Sequence, residues 1–170
     1  MKAISVLGID LGAKSGRVMA VHLNDNGLEL SSVHRFLNRP IMIRNTLHWN
    51  ILQLWQDIQD GIDKAKDLSS ASIGVDTWGV DFALLDNHDQ LLGIPVHYRD
   101  HRTDGIMEKA FRKVSREEIF QQTGIQFMPI NTIYQLYSMV LNGSASLRLA
   151  HTFLTIPDLL NFWLTGVKTC

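Results

Sequence analysis

The alternation of hydrophobic and polar positions predicts a meander of three strands at the start of the chain. Positions 3–9 are mostly apolar and rich in strand-forming residues, and this stretch ends at Asp10, after which a run of small residues has the composition of a tight turn. A second strand over 17–23 should then return beside the first. Asn26-Gly27 is a typical two-residue hairpin sequence. The alternation over 28–37 then predicts a third antiparallel strand.

A helix with one buried stripe is expected after the meander. From Asn50 onward, apolar residues recur at spacings of three and four, the pattern of an amphipathic helix. These residues are Ile51, Leu54, Trp55, Ile58, Ile62 and Ala65. Further strands are predicted over 72–77, 80–85 and 91–96. Three meandering strands, a crossover helix and a fourth strand are the order of an α/β fold with a ribonuclease-H-like core, a mixed sheet flanked by helices.

The second half of the chain reads as mostly helical. Ser115 begins a capping-box sequence, and Gly124 is placed to end that helix. Asn131 is placed to cap the next helix. A last helix should have Pro157 in its first turn and stop at Thr165-Gly166.

Composition narrows the class of protein. The chain has 170 residues, of which 45% are hydrophobic and 19% charged, with a formal net charge of −1. These values favour one ordinary globular domain and give no basic field for nucleic acid. The only cysteine, Cys170, allows no disulfide, and no apolar run reaches the roughly 18 residues that cross a bilayer. We therefore expect no membrane partner and a cytoplasmic location.

The segment 8–17 carries the first candidate chemistry. Small residues between two strands let backbone amides approach phosphate oxygens, and Lys14, Ser15 and Arg17 add donors and positive charge. A carboxylate at a strand end, such as Asp10, can hold a hydrated magnesium ion. The spacing is neither that of a Walker A loop nor that of a dinucleotide fingerprint. Taken alone, the same residues also suit a simple turn.

A second candidate site lies in the middle of the chain. Gly79 beside Trp78 leaves room for a ligand against an aromatic face, and Asp76 and Asp81 can accept hydrogen bonds from hydroxyl groups. An apolar face with such acceptors suits a deoxy sugar with a methyl group. The alternative is that Trp78 belongs to the core and both aspartates cap turns.

Charged residues and imidazoles cluster just before the helical half. His97 and His101 are four apart, which on a helix would suit a metal, but the flanking sequence favours a strand end and loop. Arg99, Asp100 and Arg102 are interpreted as an ion-paired loop near this second candidate site or, alternatively, as a solvated cluster.

These segments together resemble a known family. Residues 10–17 are similar to the phosphate-gripping hairpin Asp-x-Gly-x-x-Ser-x-Arg of the actin-like ATPase superfamily. Within that superfamily, 73–86 resembles the sugar-site segment of FGGY carbohydrate kinases, in the branch that acts on L-rhamnulose. Three later stretches, 98–103, 123–132 and 156–166, resemble further segments of that branch in the right order. The resemblance covers nearly all of the chain.

The resemblance implies an activity and a set of site residues. It implies transfer of the γ-phosphate of ATP, with Mg²⁺, to the 1-hydroxyl of L-rhamnulose or a related deoxy-ketose. It assigns ATP binding to Ala13, Lys14, Ser15, Gly16 and Arg17, magnesium to Asp10, and the sugar to Gly79, with Trp78, Asp76 and Asp81 around it. Departures from the family are local, at Lys14 and Asp104.

The resemblance also implies that part of the active site is missing. The family's catalytic base is an aspartate in a later segment, and no match for it occurs in 1–170. We therefore expect no catalytic residue in this chain, an N-terminal kinase domain truncated at its C-terminal end, and a second ATPase-like domain outside it. Negligible kinase activity of the chain alone follows. The alternative is a non-catalytic sugar- or nucleotide-binding module.

Overall fold

The computed structural model describes residues 4–25 and 27–169, and these form two compact units. The first unit takes in the described residues up to Ile41, the segment Trp49–Gly79 and the residues from Ile156 onward. The second unit consists of Met42–His48 and Val80–Thr155. Most of the second unit is therefore one continuous segment, 80–155, which lies in the sequence between two segments of the first unit. This segment is called here the long excursion.

Strands and helices are numbered here in chain order. The strands are β1 (Ile4–Leu11), β2 (Ser15–Asn24), β3 (Gly27–Leu37), β4 (Ile41–Ile43), β5 (Thr46–His48), β6 (Ile73–Asp76), β7 (Phe82–Leu85) and β8 (Thr152–Thr155). The helices are α1 (Ile51–Lys64), α2 (Ile106–Phe111), α3 (Arg116–Thr123), α4 (Thr132–Leu141), α5 (Ala145–Leu149) and α6 (Ile156–Thr165). Short 3-10 helices span Lys66–Leu68 and His101–Thr103.

The first unit is built on a mixed sheet with the order β3-β2-β1-β6. The first three strands are antiparallel neighbours, and β6 pairs in parallel with β1. The predicted meander, crossover helix and fourth strand are thus confirmed. The predicted hairpin residue Asn26 lies outside the described residues, but Asn24 pairs with Gly27 across that point.

Helix α1 covers one face of this sheet. On β1 that face carries Leu7, Ile9 and Leu11, which are all buried, and α1 contacts β2 and β3. The approach is closest at Gly61, where an added Cβ would lie 2.4 Å from Val18 Cγ2. A glycine in the middle of a helix is costly by itself, so its place here is explained by this close approach.

The opposite face of the sheet is only partly covered and is called here the open sheet face. Its exposed apolar residues are Ile4, Leu23, Leu28 and Leu30, which belong to neighbouring register positions on β1, β2 and β3. Leu28 and Leu30 expose 62% and 63% of their surface. Contiguous exposed apolar surface of this kind is a liability for association.

The second unit is mostly helical. Its small sheet pairs β7 antiparallel with β8, and all the residues of β7 are buried. A helical core forms where α2 meets α4, around Ile106, Ala110 and Tyr134. Helix α3 begins as predicted, because the Ser115 hydroxyl oxygen accepts a hydrogen bond from the Glu118 amide.

The predicted strand over 91–96 is wrong. Only single bridges form there, at Leu91 and at Val96. Gly93 takes a positive φ of 111°, and Pro95 has no amide hydrogen to give to a ladder. These two residues interrupt the alternation that the apolar pattern indicated.

Asn131 occupies the N-cap position of α4, as predicted, but its side chain does not cap the helix. Its Nδ2 instead donates to the Gln126 carbonyl at 2.8 Å and so closes the loop before the helix. The cap position was therefore predicted correctly and the capping bond was not.

Candidate functional site

Three carbonyl groups in and beside the turn between β1 and β2 accept hydrogen bonds from other residues of the protein. Ser15 O accepts from the Gly12 amide at 2.9 Å, and Asn38 binds Gly12 O through Nδ2 at 2.9 Å and Lys14 O through its amide at 3.0 Å. Asn38 is 4% exposed. The amides of Ala13 and Lys14, by contrast, have no hydrogen-bond acceptor among residues 4–25 and 27–169. The turn thus presents free donors, which is what a phosphate oxygen requires.

Gly16, the next residue of the assigned ATP-binding set, is required by packing. A Cβ added there would lie 2.3 Å from Phe36 Cε2 and 2.8 Å from Leu11 Cδ2. Both neighbours are buried. The glycine therefore allows the strand after the turn to pass directly over the core.

Asp10 and Arg17 form an ion pair at the end of β1. Asp10 Oδ2 accepts from Arg17 Nε at 2.7 Å and lies 2.6 Å from Arg17 Nη2, with each side chain a little under half exposed. Asp76, at the end of β6, is the register partner of Asp10. Register partners in neighbouring strands point to the same side of a sheet. These three residues, with Gly8 and Gly74, line an open pocket of about 460 Å³.

The pair of carboxylates fits a hydrated magnesium ion. Mg²⁺ in nucleotide sites keeps several waters and takes one or two protein carboxylates together with phosphate oxygens. Across the described parts of the chain, no group of three or more His, Cys, Asp or Glu side chains is placed to hold a metal by itself. A site made only of Asp10 and Asp76 would therefore need the phosphates to complete it.

Trp78 lies against a second indole. Its ring stacks on that of Trp49 at 3.8 Å between centroids and 16° between planes, and Trp49 is fully buried. Trp78 itself is half-buried, and its Nε1 is enclosed with no acceptor in the described structure. Gly79 next to it is exposed, with no other described atom within 4 Å of where a Cβ would sit.

Asp81 is placed differently from Asp76. It is 0% exposed, its Oδ2 accepts from the Tyr98 amide at 3.0 Å, and its Oδ1 accepts from Gln135 Nε2 at 2.8 Å. Asp76 is exposed at a strand end. The structure thus favours the turn-capping interpretation for Asp81, whereas Asp76 remains accessible.

The loop 97–102 is organised by backbone hydrogen bonds more than by the expected ion pairs. Asp100 Oδ2 accepts from the Leu47 amide at 2.7 Å, and Asp100 Oδ1 accepts from the Arg102 amide at 2.9 Å. The Arg102 guanidinium donates to Gln135 Oε1. Burial lowers the pKa of Arg102, while Asp81 and Asp100 act in the opposite direction.

His97 and His101 do not form a metal pair. His97 is 2% exposed, and its Nδ1 accepts from the Arg99 amide at 3.0 Å. Burial, helped by Arg99 and opposed by Asp100, lowers the pKa of His97 to about 4. His101 is exposed and lies beside Asp104. No local pattern around His97 predicted that its side chain would be buried.

No helix in the described residues has the length and apolar character needed to span a membrane. The N-terminal domain of the FGGY family of carbohydrate kinases matches residues 5–170. Similar curated proteins are the rhamnulokinases of Oceanobacillus iheyensis, 46% identical over 95% of this chain, and Pectobacterium carotovorum, 41% identical over 100% of it. The chain spans 35% of the length of each.

Solved structures show the same fold. The gluconate kinase of Lactobacillus acidophilus superposes with a TM-score of 0.81 at 18% identity, over 97% of this chain and 34% of that one. The xylulose kinase of Rhodospirillum rubrum gives 0.80 at 19% identity, over 97% and 35%. The expected ribonuclease-H-like (actin-like ATPase) fold is thereby confirmed. From the matched family, the sequence relatives and the fold together, the chain belongs to the FGGY family of carbohydrate kinases.

Proposed function

We propose that this chain binds the sugar and the phosphates in a kinase that transfers the γ-phosphate of ATP to the 1-hydroxyl of L-rhamnulose. The observation that carries the proposal is the free pair of turn amides at Ala13 and Lys14, in the turn that follows Asp10, together with the register pairing of Asp10 and Asp76. The names of the sequence relatives support the choice of sugar. A related deoxy-ketose would meet the same chemistry. Because the reaction consumes ATP, we propose the cytoplasm as its location.

The phosphate-binding role belongs to the turn Ala13–Arg17. The amides of Ala13 and Lys14 would donate to phosphate oxygens, while Ser15 and Lys14 add side-chain donors and Gly16 keeps the turn close to the core. Asp10 would hold a magnesium ion through water or directly. When bound, the ion neutralises charge on the phosphates. Arg17 would then orient Asp10 and add positive charge.

The sugar-binding role belongs to the stretch from Asp76 to Asp81. Gly79 leaves space for the sugar, and Trp78 offers the indole face that is not stacked on Trp49. The exposed carboxylate of Asp76 would accept from a sugar hydroxyl. Asp81 would support the site without contacting the sugar, because each of its carboxylate oxygens already accepts a hydrogen bond from the protein.

We further propose that 1–170 is the N-terminal domain, with the catalytic base and the second ATPase-like domain supplied from outside it. Phosphoryl transfer needs a base for the sugar hydroxyl, and the family resemblance assigns that role to an aspartate in a later segment. The chain alone should therefore bind sugar without turning it over.

The proposal is tested on the purified chain in two assays. Calorimetric titration should detect binding of L-rhamnulose, and a coupled assay for ADP release should stay at the no-enzyme rate. Turnover well above that rate would show that the base lies within the chain. Absence of sugar binding at millimolar concentrations would contradict the sugar assignment.

The second candidate is a non-catalytic sugar- or nucleotide-binding module, which the same turn amides and the exposed Asp76 carboxylate would also serve. The two candidate functions are distinguished by an ADP-release assay on the protein encoded by the whole reading frame. ADP release that depends on L-rhamnulose supports the kinase, whereas sugar or nucleotide binding without release supports the module.

A further inference from the structure

Gln135 is a buried glutamine whose amide group meets several backbone segments at once. It is 1% exposed, and Nε2 lies 2.8 Å from Asp81 Oδ1, 2.8 Å from Ile130 O and 3.1 Å from Val80 O. Its Oε1 accepts from the Arg102 guanidinium. The NH₂ group has two hydrogens, so at least one of these three acceptors shares a hydrogen with another.

The same network fixes the carbonyl group of Val80 from a second side. Thr132 Oγ1 donates to Val80 O at 2.8 Å. Thr132 and Gln135 are both on α4, so one rigid helix holds this carbonyl through two side chains. Val80 directly follows Gly79, and its carbonyl belongs to the peptide that joins it to Asp81.

The network extends from there to the loop 97–102. Asp81 Oδ2 accepts from the Tyr98 amide. Arg102 donates to Gln135 Oε1 through its guanidinium and to Asp100 Oδ1 through its backbone amide. Two stretches that resemble sugar-kinase segments, 73–86 and 98–103, are thereby tied to α4 through one side chain. Removing Gln135 would leave a buried carboxylate oxygen and a guanidinium without these partners.

We propose that Gln135 is a positioning residue for the sugar site. By holding Val80 and Asp81, it fixes the backbone that follows Gly79 and, through Asp81, the backbone of Tyr98. This inference rests on the proposed sugar-binding role of the stretch 76–81. Gln135 itself touches no sugar, and it acts only through the backbone that it holds.

The test is Gln135→Met, which keeps the length of the side chain and removes its hydrogen bonds. We expect the affinity for L-rhamnulose to fall about tenfold or more, because small displacements of binding groups are costly. The sugar-induced shifts of the Gly79 and Val80 amide signals in NMR spectra should be lost with it. The matched control is Gln121→Met, the same change at an exposed position of α3, which should leave both unchanged.

Affinity is measured at a temperature where circular dichroism shows each variant fully folded. A residue that only stabilises the fold would then leave the affinity unchanged, since the folded fraction is the same. Thr132→Val removes one donor to Val80 O with little change of shape and should give a smaller loss, about threefold. If Gln135→Met does not fold, the sugar affinity of Thr132→Val tests the positioning role instead.

The outcomes separate this inference from the proposed function. If the unsubstituted chain binds L-rhamnulose and the folded variants bind it equally well, the positioning role is overturned and the proposed function stands. If the unsubstituted chain binds no sugar, both are overturned.

Discussion

Gly79 has open space around it in the protein, so its identity is not explained by packing. A Cβ added there would meet no other described atom within 4 Å, and its φ is not positive. Gly79→Ala should therefore change the free energy of unfolding by less than about 0.5 kcal/mol. If the space is used by the sugar, the same change should weaken L-rhamnulose binding about tenfold, measured by calorimetric titration.

The control for this prediction is Gln59→Ala, at an exposed position of α1 and outside the residues that line the candidate site. It should bind the sugar normally. Equal affinity of Gly79→Ala and the unsubstituted chain would remove Gly79 from the site.

His97 should make stability depend on pH. Its pKa falls from 6.5 to about 4 on folding, chiefly because it is buried. Below pH 6.5 the unfolded chain takes up a proton that the folded chain resists, so stability is lost as the pH falls towards 4. The expected slope is at most about 1.4 kcal/mol per pH unit. Urea unfolding at pH 7, 6 and 5 measures it.

The matched variant for that experiment is His97→Asn. Its Oδ1 can accept from the Arg99 amide as Nδ1 does now, but the side chain does not titrate. The difference in unfolding free energy between the two proteins should therefore change with pH below 6.5. A constant difference from pH 7 to pH 5 would mean that His97 titrates normally.

Helix α1 packs closely against the sheet at Gly61. Gly61→Ala would favour the helix by about 1 kcal/mol from propensity alone. The added Cβ, however, would lie 2.4 Å from Val18 Cγ2 and 3.3 Å from His34 Cβ. Overpacking of this kind costs about 1–3 kcal/mol. We expect a net loss of unfolding free energy of about 1 kcal/mol in urea titrations.

Gln59→Ala, at an exposed position of the same helix, serves as the control and should be neutral or slightly stabilising. If Gly61→Ala instead raises the stability, the sheet must yield easily at Val18, and the close packing of α1 is not the reason for the glycine.

The elements that the sequence predicted are those whose signals are local. The meander, the stripe of α1 and the Ser115 cap each depend on residues a few positions apart. The short strand β8 was missed because its partner β7 lies about 70 positions earlier, and nothing near it marks the pairing. The short helices α2 and α5 and the strands β4 and β5 were missed for a similar reason, since few local residues define them.

The candidate site shows the same division. The turn 12–17 and the accessible Asp76 were recognised from local motifs, whereas the burial of Asp81 depends on Gln135 and Tyr98. Gln135 is more than 50 positions from Asp81. Asn38, which donates to the carbonyl groups of the turn between β1 and β2, is likewise distant from that turn along the chain. A local motif shows which residues have the right chemistry to bind a ligand. It does not show which of them already form hydrogen bonds within the protein.

The open sheet face should determine whether the chain associates with itself at high concentration. Leu30 is 63% exposed on β3, an edge strand of the sheet. Lysine on an edge strand opposes edge-to-edge pairing. Leu30→Lys should therefore reduce concentration-dependent association, measured by sedimentation velocity, with little change in unfolding free energy.

Leu149→Lys is the matched control, because Leu149 is 66% exposed on α5, outside the open sheet face. It should associate like the unsubstituted chain. Equal reduction by the two variants would mean that net charge, and not this face, controls association.

The pairing of β7 with β8 indicates where the chain can tolerate insertions and deletions during evolution. Phe82 and Thr155 are register partners, so the two ends of the long excursion, which begins at Val80, lie next to each other. Insertions and deletions are tolerated best where the two ends of a segment are neighbours. The loops of this segment can therefore change in length, provided that the hydrogen bonds of Gln135 are kept, while the strands that carry Asp10 and Asp76 keep their register.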